Sequence, residues 1–294
     1  MRRAAALGLW LLACCTWPVA ALAAPAPADP TPARGAYLAR LGGCFACHTA
    51  KGGAPLAGGL ALTTPFGTLY TPNITPDRAT GIGAWSTADF LRALRHGIRP
   101  DGSPLYPAFP YPSFAAMGDQ DARAIHAYLM TQPAVHAPDR PNALRFPYSL
   151  RPLLWVWRWL FFHPHPFRPD PAQDAAWNRG AYLVQALAHC GECHTPRNFL
   201  GATIGTRALS GTTDGPDGQS VPNITPDPAT GIGGWGADDL VTLLTTGQTP
   251  EQDSVSGAMA TAIADGLKYL TQEDARAIAD YLLAQKPIVH HMKN

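Results

Sequence analysis

The 294-residue sequence predicts a mainly α-helical protein built as two tandem copies of one domain. Three observations lead there: a pentapeptide of fixed spacing that occurs twice, repeated sequence around each occurrence, and short apolar stripes of helical period set between Gly- and Pro-rich connections. With 28 Gly and 30 Pro, about a fifth of the chain, short helices joined by long ordered loops are expected. Hydrophobic residues at 46% and charged residues at 15% suit a globular core and exclude a disordered chain. A formal net charge of +1 leaves no basic footprint for nucleic acid.

Residues 1–23 read as a secretory signal peptide: Arg2 and Arg3 form a charged start, Ala4 to Val19 is apolar, and Ala21-Leu22-Ala23 supplies small residues for cleavage. The apolar run is short for a membrane span, which needs about 20 residues. Leu11-Leu12-Ala13-Cys14 also fits a lipoprotein cleavage box, so processing at an acylated Cys14 stands as an alternative. Loss of Arg2 and Arg3 leaves 20 Lys and Arg against 21 Asp and Glu, close to neutral. The leader implies a periplasmic protein.

The repeat defines the remaining elements. Arg34-Gly35-Ala36-Tyr37-Leu38 returns as Arg179-Gly180-Ala181-Tyr182-Leu183, and residues 71–85 return as 221–235 with 12 of 15 positions identical. Asp121-Ala122-Arg123-Ala124-Ile125 returns as Asp274-Ala275-Arg276-Ala277-Ile278, and the copies run on to His136 and His290. These matches place the first domain at 31–136, a linker at 137–172 and the second domain at 173–292. In each copy a first short helix (Gly35 to Gly42) precedes the pentapeptide. A second spans Ser86 to His96, with Ser86 and Asp89 in its first turn, Phe90, Leu91 and Leu94 as its apolar stripe and Gly97 as its stop. A third spans Asp119 to Thr131, burying Ala122, Ile125 and Leu129 and leaving His126 to solvent. Thr271 and Asp274 resemble a capping pair for its counterpart.

Six cysteines narrow the chemistry. Cys14 and Cys15 belong to the leader, and the other four lie in Cys44-Phe45-Ala46-Cys47-His48 and Cys190-Gly191-Glu192-Cys193-His194. C-x-x-C-H is the attachment sequence of c-type haem: two thiols reach the two vinyl groups of one porphyrin, and the adjacent imidazole reaches the iron. A thioredoxin-like pair needs neither the His nor a second copy. Zinc ribbons space their pairs about 15–20 residues apart, whereas Cys47 and Cys190 are 143 apart. Two haem c groups are expected, each completing the core of a small domain. His48 and His194 are the expected proximal ligands, each oriented through its other ring nitrogen.

The distal ligand of small c-type cytochromes is usually a Met before the last helix, which raises the potential. Met259 fits that place in the second copy, against the alternative of a core Met. Met117 is the candidate in the first, with His96 or an open site as alternatives. Aligning the last helices puts Met259 opposite Tyr106. Trp85, Trp235, Asn73 and Asn223 either meet a haem propionate or only pack their loop. Arg92, Arg95 and Arg99 either pair with propionates or stay solvated. In the linker, Trp155 to Phe162 is very aromatic; it either packs between the domains or presents a surface to a membrane or partner.

The string Gly-Gly-Cys-Phe-Ala-Cys-His-Thr-Ala-Lys-Gly-Gly, the Asn-Ile-Thr-Pro-Asp…Gly-Ile-Gly-x-Trp loops, Leu-Tyr-Pro-Ala-Phe-Pro-Tyr and Cys-His-Thr-Pro-Arg-Asn together resemble the cytochrome c subunits of membrane-associated bacterial alcohol, gluconate and sorbitol dehydrogenases. The resemblance covers about residues 31–290. It implies two tandem class I cytochrome c-like domains, each wrapped around one covalent haem c. It also implies a periplasmic electron-transfer subunit with no catalytic activity of its own. Its donor would be a quinoprotein, flavoprotein or molybdenum dehydrogenase, and its acceptor a quinone, a terminal oxidase or a soluble carrier. There are two departures. The three-subunit dehydrogenases typically have three haem domains, the third carrying the quinone route and membrane contact. Many relatives carry a Met, the expected first distal ligand, where this chain has Phe109. The alternative is a dihaem enzyme of peroxidase or sulfur-oxidising type using an open or weakly ligated first haem.

Overall fold

The computed structural model describes residues 31–291. The expected signal peptide at 1–23, with Cys14, and Met292 at the end of the second expected domain lie outside the described residues.

The first half of the chain starts with α1 (Pro32–Leu41) and α2 (Cys44–His48). Thr31 caps α1 by accepting the Arg34 amide, and Pro32 suits its first position. A hairpin of β1 (Ala61–Thr64) and β2 (Gly67–Tyr70) follows. Then come α3 (Thr87–His96), α4 (Tyr111–Phe114) and α5 (Asp119–Leu129). Ser86 and Asp89 close a capping box on α3, and Gly97 ends it in the left-handed conformation (φ 59), as expected. The second half repeats the plan. It comprises α7 (Ala175–Tyr182) running into a π turn (Leu183–Leu187), α8 (Gly191–His194), α9 (Ala237–Thr246), α10 (Gly257–Asp265) and α11 (Gln272–Leu283). Thr271 caps α11 by accepting the Asp274 amide, as its sequence predicts.

The π turn has a countable cause. Ten residues separate Arg34 from Cys44, but eleven separate Arg179 from Cys190. The wider turn absorbs the extra residue while keeping the helix running.

The first and last helices of each half cross in contact, and Arg-Gly-Ala-Tyr is the joint. A Cβ on Gly35 would sit 2.0 Å from the Ala124 carbonyl oxygen, and one on Gly180 would sit 2.0 Å from that of Ala277. Glycine is the only residue that permits this approach. Beside it, Arg34 Nε donates to Asp121 at 2.8 Å, and Arg179 Nε donates to Asp274 at 2.8 Å. The tyrosines cross over: Tyr37 Oη donates to Asp274 at 2.6 Å, and Tyr182 Oη donates to Asp121 at 2.6 Å. Each half thus holds the other's carboxylate in a reciprocal clasp. Burial first, then the bond to Asp274, pushes the Tyr37 phenol up to about 12. Burial pulls the Asp274 carboxyl up, but the bonds from Arg179 and Tyr37 outweigh it and hold it below its ordinary value.

Two expectations change. A small sheet joins the helices: β3 (Ala143–Leu144) pairs antiparallel with β2, in order β1-β2-β3. The linker therefore does not simply begin at residue 137, because residues 139–144 build onto the first half. Second, His126 does not face solvent. It is buried against the Phe90 ring, centroids 4.9 Å apart, with Nδ1 beside the Thr87 hydroxyl at 3.2 Å.

In the rest of the linker, α6 (Leu153–Phe161) has two faces. Leu154 is buried, Trp157 Nε1 donates to the Leu200 carbonyl at 2.9 Å, and Phe162, just beyond the helix, meets Tyr111 edge-on at 4.9 Å. Trp155, Val156 and Trp159 on the other face are exposed, Trp159 to 77%. Packing between the halves and an outward aromatic surface thus coexist on one helix. Among the described residues, no helix is long and apolar enough to cross a membrane.

Candidate haem sites

Gly43 takes the left-handed conformation (φ 71) and turns the chain from α1 into α2. Cys44, Cys47 and His48 then line a cavity of about 660 Å³ with apolar walls that include Leu69, Ile82, Phe90, Leu94 and Phe109. That volume falls in the range of roughly 300–1,000 Å³ typical of cofactor sites. His48 is buried, and burial lowers its pKa, so the ring carries one proton. Nδ1 lies 2.8 Å from the Pro72 carbonyl oxygen, which can only accept, so Nδ1 holds that proton and Nε2 keeps a bare lone pair. This is the tautomer a metal-binding imidazole needs.

The loop after His48 holds it in place. The Gly58 amide donates to the His48 carbonyl at 2.8 Å, and the Leu56 amide donates to Thr49 Oγ1 at 3.1 Å. Leu56 takes a left-handed backbone (φ 62), an unusual state for a bulky residue that its surroundings must enforce.

The second half reproduces each contact. His194 is buried, with its pKa lowered by burial and Nδ1 2.9 Å from the Pro222 carbonyl. The Gly211 amide donates to the His194 carbonyl at 2.8 Å. The Leu209 amide donates to Thr195 Oγ1 at 3.0 Å, and Leu209 is again left-handed (φ 64). Burial pushes the Cys44 and Cys190 thiols up to about 12 and Cys193 to about 11, which disfavours a thiolate nucleophile or thiolate metal ligand. Two protonated thiols and one imidazole with a free Nε2 per motif fit a covalent haem. Around the first cavity, apolar walls and Arg99, Arg140 and Arg151 in the lining suit its ring and carboxylates.

The two motifs abut. His189, directly before Cys190, lines the first cavity; a Cβ on Gly43 would lie 3.6 Å from its Nε2. Its ring meets Phe114 edge-on at 5.3 Å, and Ser113 Oγ donates to Glu192 at 2.7 Å. The Cys193 thiol is raised by burial first, and also by the charge of Glu192 and of Cys47 across the junction.

Met259 sits half-buried on α10, packed against the core. Its counterpart is not Tyr106. After each second helix the chain makes the same bridge, Ile98 with Pro104 and Gln248 with Ser254. Arg99 N to Ser103 O (2.9 Å) matches Thr249 N to Asp253 O (2.8 Å), and Leu105 N to Gly97 O (2.7 Å) matches Val255 N to Gly247 O (2.9 Å). Counting on without a gap brings Ala108-Phe109 onto Ala258-Met259. Alignment from the last helices misses this because the connection leading into the helix is longer in the second half.

Met117 is not brought to His48. It is 1% exposed and lines a separate cavity of about 550 Å³ with His96, Asp119, Phe167 and Tyr182. The reason is a tertiary contact: α4 ends at Phe114, and Arg95 donates to the Met117 carbonyl at 2.6 Å, which ties this segment to α3. His96 lines that second cavity as well.

Asn73 and Asn223 serve their loops. Asn73 Nδ2 donates to Thr80 Oγ1 (3.1 Å) and the Val135 carbonyl (2.8 Å); Asn223 Nδ2 does the same with Thr230 Oγ1 (3.0 Å) and the Ile288 carbonyl (2.8 Å). Trp85 lines the first cavity, and Trp235 packs half-buried against the core. Of the three helix-region arginines only Arg99 reaches the first cavity; Arg92 pairs with Asp89, and Arg95 with Asp119. Sequence reasoning missed Arg140, Arg151 and His189. The arginines lie in the linker, outside the repeat, and His189 takes the place before Cys190 that Gly43 holds before Cys44, where the repeat itself breaks.

A family model described as Cytochrome c matches residues 32–133. The chain is 43% identical over 256 residues to a protein named Diheme cytochrome c-type from Cereibacter sphaeroides, covering 85% of this chain and 84% of that one. It is 44% identical over 265 residues to the cytochrome c subunit of alcohol dehydrogenase (quinone) from Gluconacetobacter polyoxogenes, covering 87% of this chain and 56% of that one. It is 44% identical over 267 residues to the cytochrome subunit of fructose dehydrogenase from Gluconobacter japonicus, covering 87% of this chain and 54% of that one. The chain thus spans about half the length of these two dehydrogenase subunits.

Proposed function

The chain belongs to the cytochrome c family, and on that premise we propose that it is a dihaem electron-transfer protein. It consists of two tandem class I cytochrome c-like domains, with no catalytic activity alone. Cys44 and Cys47 attach the first haem c and Cys190 and Cys193 the second. His48 and His194 are the proximal ligands, and Met259 is the distal ligand of the second. Bound haem would supply a one-electron iron couple. The residues do the rest. The Pro72 and Pro222 carbonyls hold each imidazole with Nε2 bare and raise its basicity. The apolar walls of the first cavity exclude water and so tune the couple. The Met259 thioether favours the reduced state.

The observation that carries this reading is the junction of the two motifs, with His189 of the second lining the cavity of the first. An isolated carrier domain has no need of such an arrangement, whereas a relay needs its two centres close. The electron donor is a periplasmic dehydrogenase of quinoprotein, flavoprotein or molybdenum type, and the acceptor is a quinone, an oxidase or a soluble carrier. This rests on the resemblance to dehydrogenase cytochrome subunits. The outward face of α6 rests on the cytoplasmic membrane surface, since Trp beside Arg suits a membrane–water interface.

The test is to purify the holo-protein, count haem per chain by pyridine haemochromogen assay, and mix it with a reduced quinoprotein dehydrogenase in a stopped-flow cell. Two haems per chain, both reduced within the mixing experiment, are expected. A count of one or none, or haems that the dehydrogenase leaves oxidised, would sink the reading.

A further inference from the structure

The two halves share a frame and differ at one matched position on it. The matched hydrogen bonds from Gly97 to Leu105 and from Gly247 to Val255 set the register, and that register gives the first half Phe109 where the second has Met259. Phe109 lines the cavity with Cys44, Cys47 and His48, its ring 5.6 Å from that of Phe114. A phenyl ring offers no lone pair to a metal.

Other polar side chains in that cavity have partners of their own. The Tyr106 hydroxyl donates to the Tyr148 carbonyl at 3.1 Å, and the Tyr70 ring lies under the Arg140 guanidinium at 3.9 Å. Asp139 accepts the Asn73 amide at 2.9 Å and faces Arg99 at 3.6 Å; Asp101 accepts the Ser103 amide at 2.8 Å. His189 lies against the Gly43 turn beside Cys44, its ring edge-on to Phe114 at 5.3 Å. Met117 and His96 line the other cavity.

We propose that the first haem site has no sixth protein ligand, and that the Phe109 side of its cavity is a binding site for a small neutral diatomic molecule. The inference rests on the dihaem reading above. The class of ligand follows from the wall: Phe109, Phe90 and Leu94 offer neither charge nor hydrogen bonds, so small size and low polarity decide entry. The second site, with Met259, is closed to the same molecule.

Carbon monoxide is the probe. The dithionite-reduced holo-protein, with its haem count fixed by pyridine haemochromogen assay, is titrated with carbon monoxide and followed in the Soret band. The ferric protein is examined by electron paramagnetic resonance. One carbon monoxide per two haems and one high-spin ferric centre are expected. M259F should take up two, and F109M none, with a gain of the thioether-to-iron charge-transfer band. Two low-spin centres that bind no carbon monoxide in the two-haem protein would overturn the proposal, as would uptake of two by the unaltered protein. Fewer than two haems in the unaltered protein would instead overturn the dihaem reading. If F109M loses its haem, the unaltered protein and M259F still decide.

Discussion

The first and second halves hold His48 and His194 in the same way, down to a left-handed Leu eight residues after the first His and fifteen after the second. Yet at the matched position after the second helix of each half, one carries Phe109, which lines the cavity of His48, and the other carries Met259. The scaffold contacts are backbone hydrogen bonds and a helix crossing where a Cβ on the glycine would lie 2.0 Å from a carbonyl oxygen, and they tolerate almost no change. The facing residue only fills space unless it binds the metal, so it can drift without loss of the fold. The framework is thus shared, and the difference in chemistry is confined to one side chain.

The framework should break most easily at the helix crossing. Gly35→Ala and Gly180→Ala each force a Cβ onto a carbonyl oxygen, and each should cost roughly 3 kcal/mol or more by overpacking. Equal losses in thermal unfolding would show that the halves share the joint. A neutral result at either position would show that this crossing is not what holds the half together.

The chemistry should break next. Met259→Phe makes the second half like the first, so its midpoint potential should fall until two waves in a potentiometric titration merge into one. Unchanged waves would remove Met259 from the iron.

The clasp joins the halves and should yield less. Tyr37→Phe and Tyr182→Phe each remove a hydrogen bond to a carboxylate, worth about 1.5–3 kcal/mol. The two variants should lose alike, because the Tyr37 hydroxyl also accepts the Thr271 amide at 3.4 Å and the Tyr182 hydroxyl the Gly118 amide at 3.4 Å. The pH dependence has two edges. The Tyr37 phenol is raised in the fold to about 12. Its contribution is therefore complete below the ordinary phenol value near 10 and is lost as pH rises through about 12. The Asp274 carboxyl is lowered. Its contribution is present above the ordinary value near 4 and is lost as pH falls through the folded one. Unfolding midpoints against pH should show both edges, with the alkaline edge weakened in Tyr37→Phe.

The smallest effect on stability belongs to the outward face of α6. Trp155→Ala and Trp159→Ala should change stability by less than about 0.5 kcal/mol while lowering co-sedimentation with anionic vesicles. Unchanged sedimentation would count against membrane contact there.

Much of this could be read from the residues alone. The C-x-x-C-H motifs named Cys44, Cys47, His48 and their counterparts, because attachment chemistry dictates spacing. The caps at Ser86 and Thr271 and the stop at Gly97 are local, and local rules found them. What failed was non-local. His126 is buried because Phe90 and Thr87 of α3 cover it, which its own helix cannot reveal. Met117 was a reasonable distal candidate by position, but the structure sends it to another cavity because Arg95 ties its backbone to α3.

Residue order was enough to find the repeat, the two C-x-x-C-H motifs and the caps at Ser86 and Thr271, since each is a matter of spacing or residue type. Three-dimensional packing was needed to show that Phe109 stands opposite Met259, that Tyr37 and Tyr182 reach across to the other half's aspartate, that linker residues 139–144 build onto the first half, and that His189 enters the first cavity. Each of these depends on which distant segments meet in space, and sequence spacing carries no direct record of that.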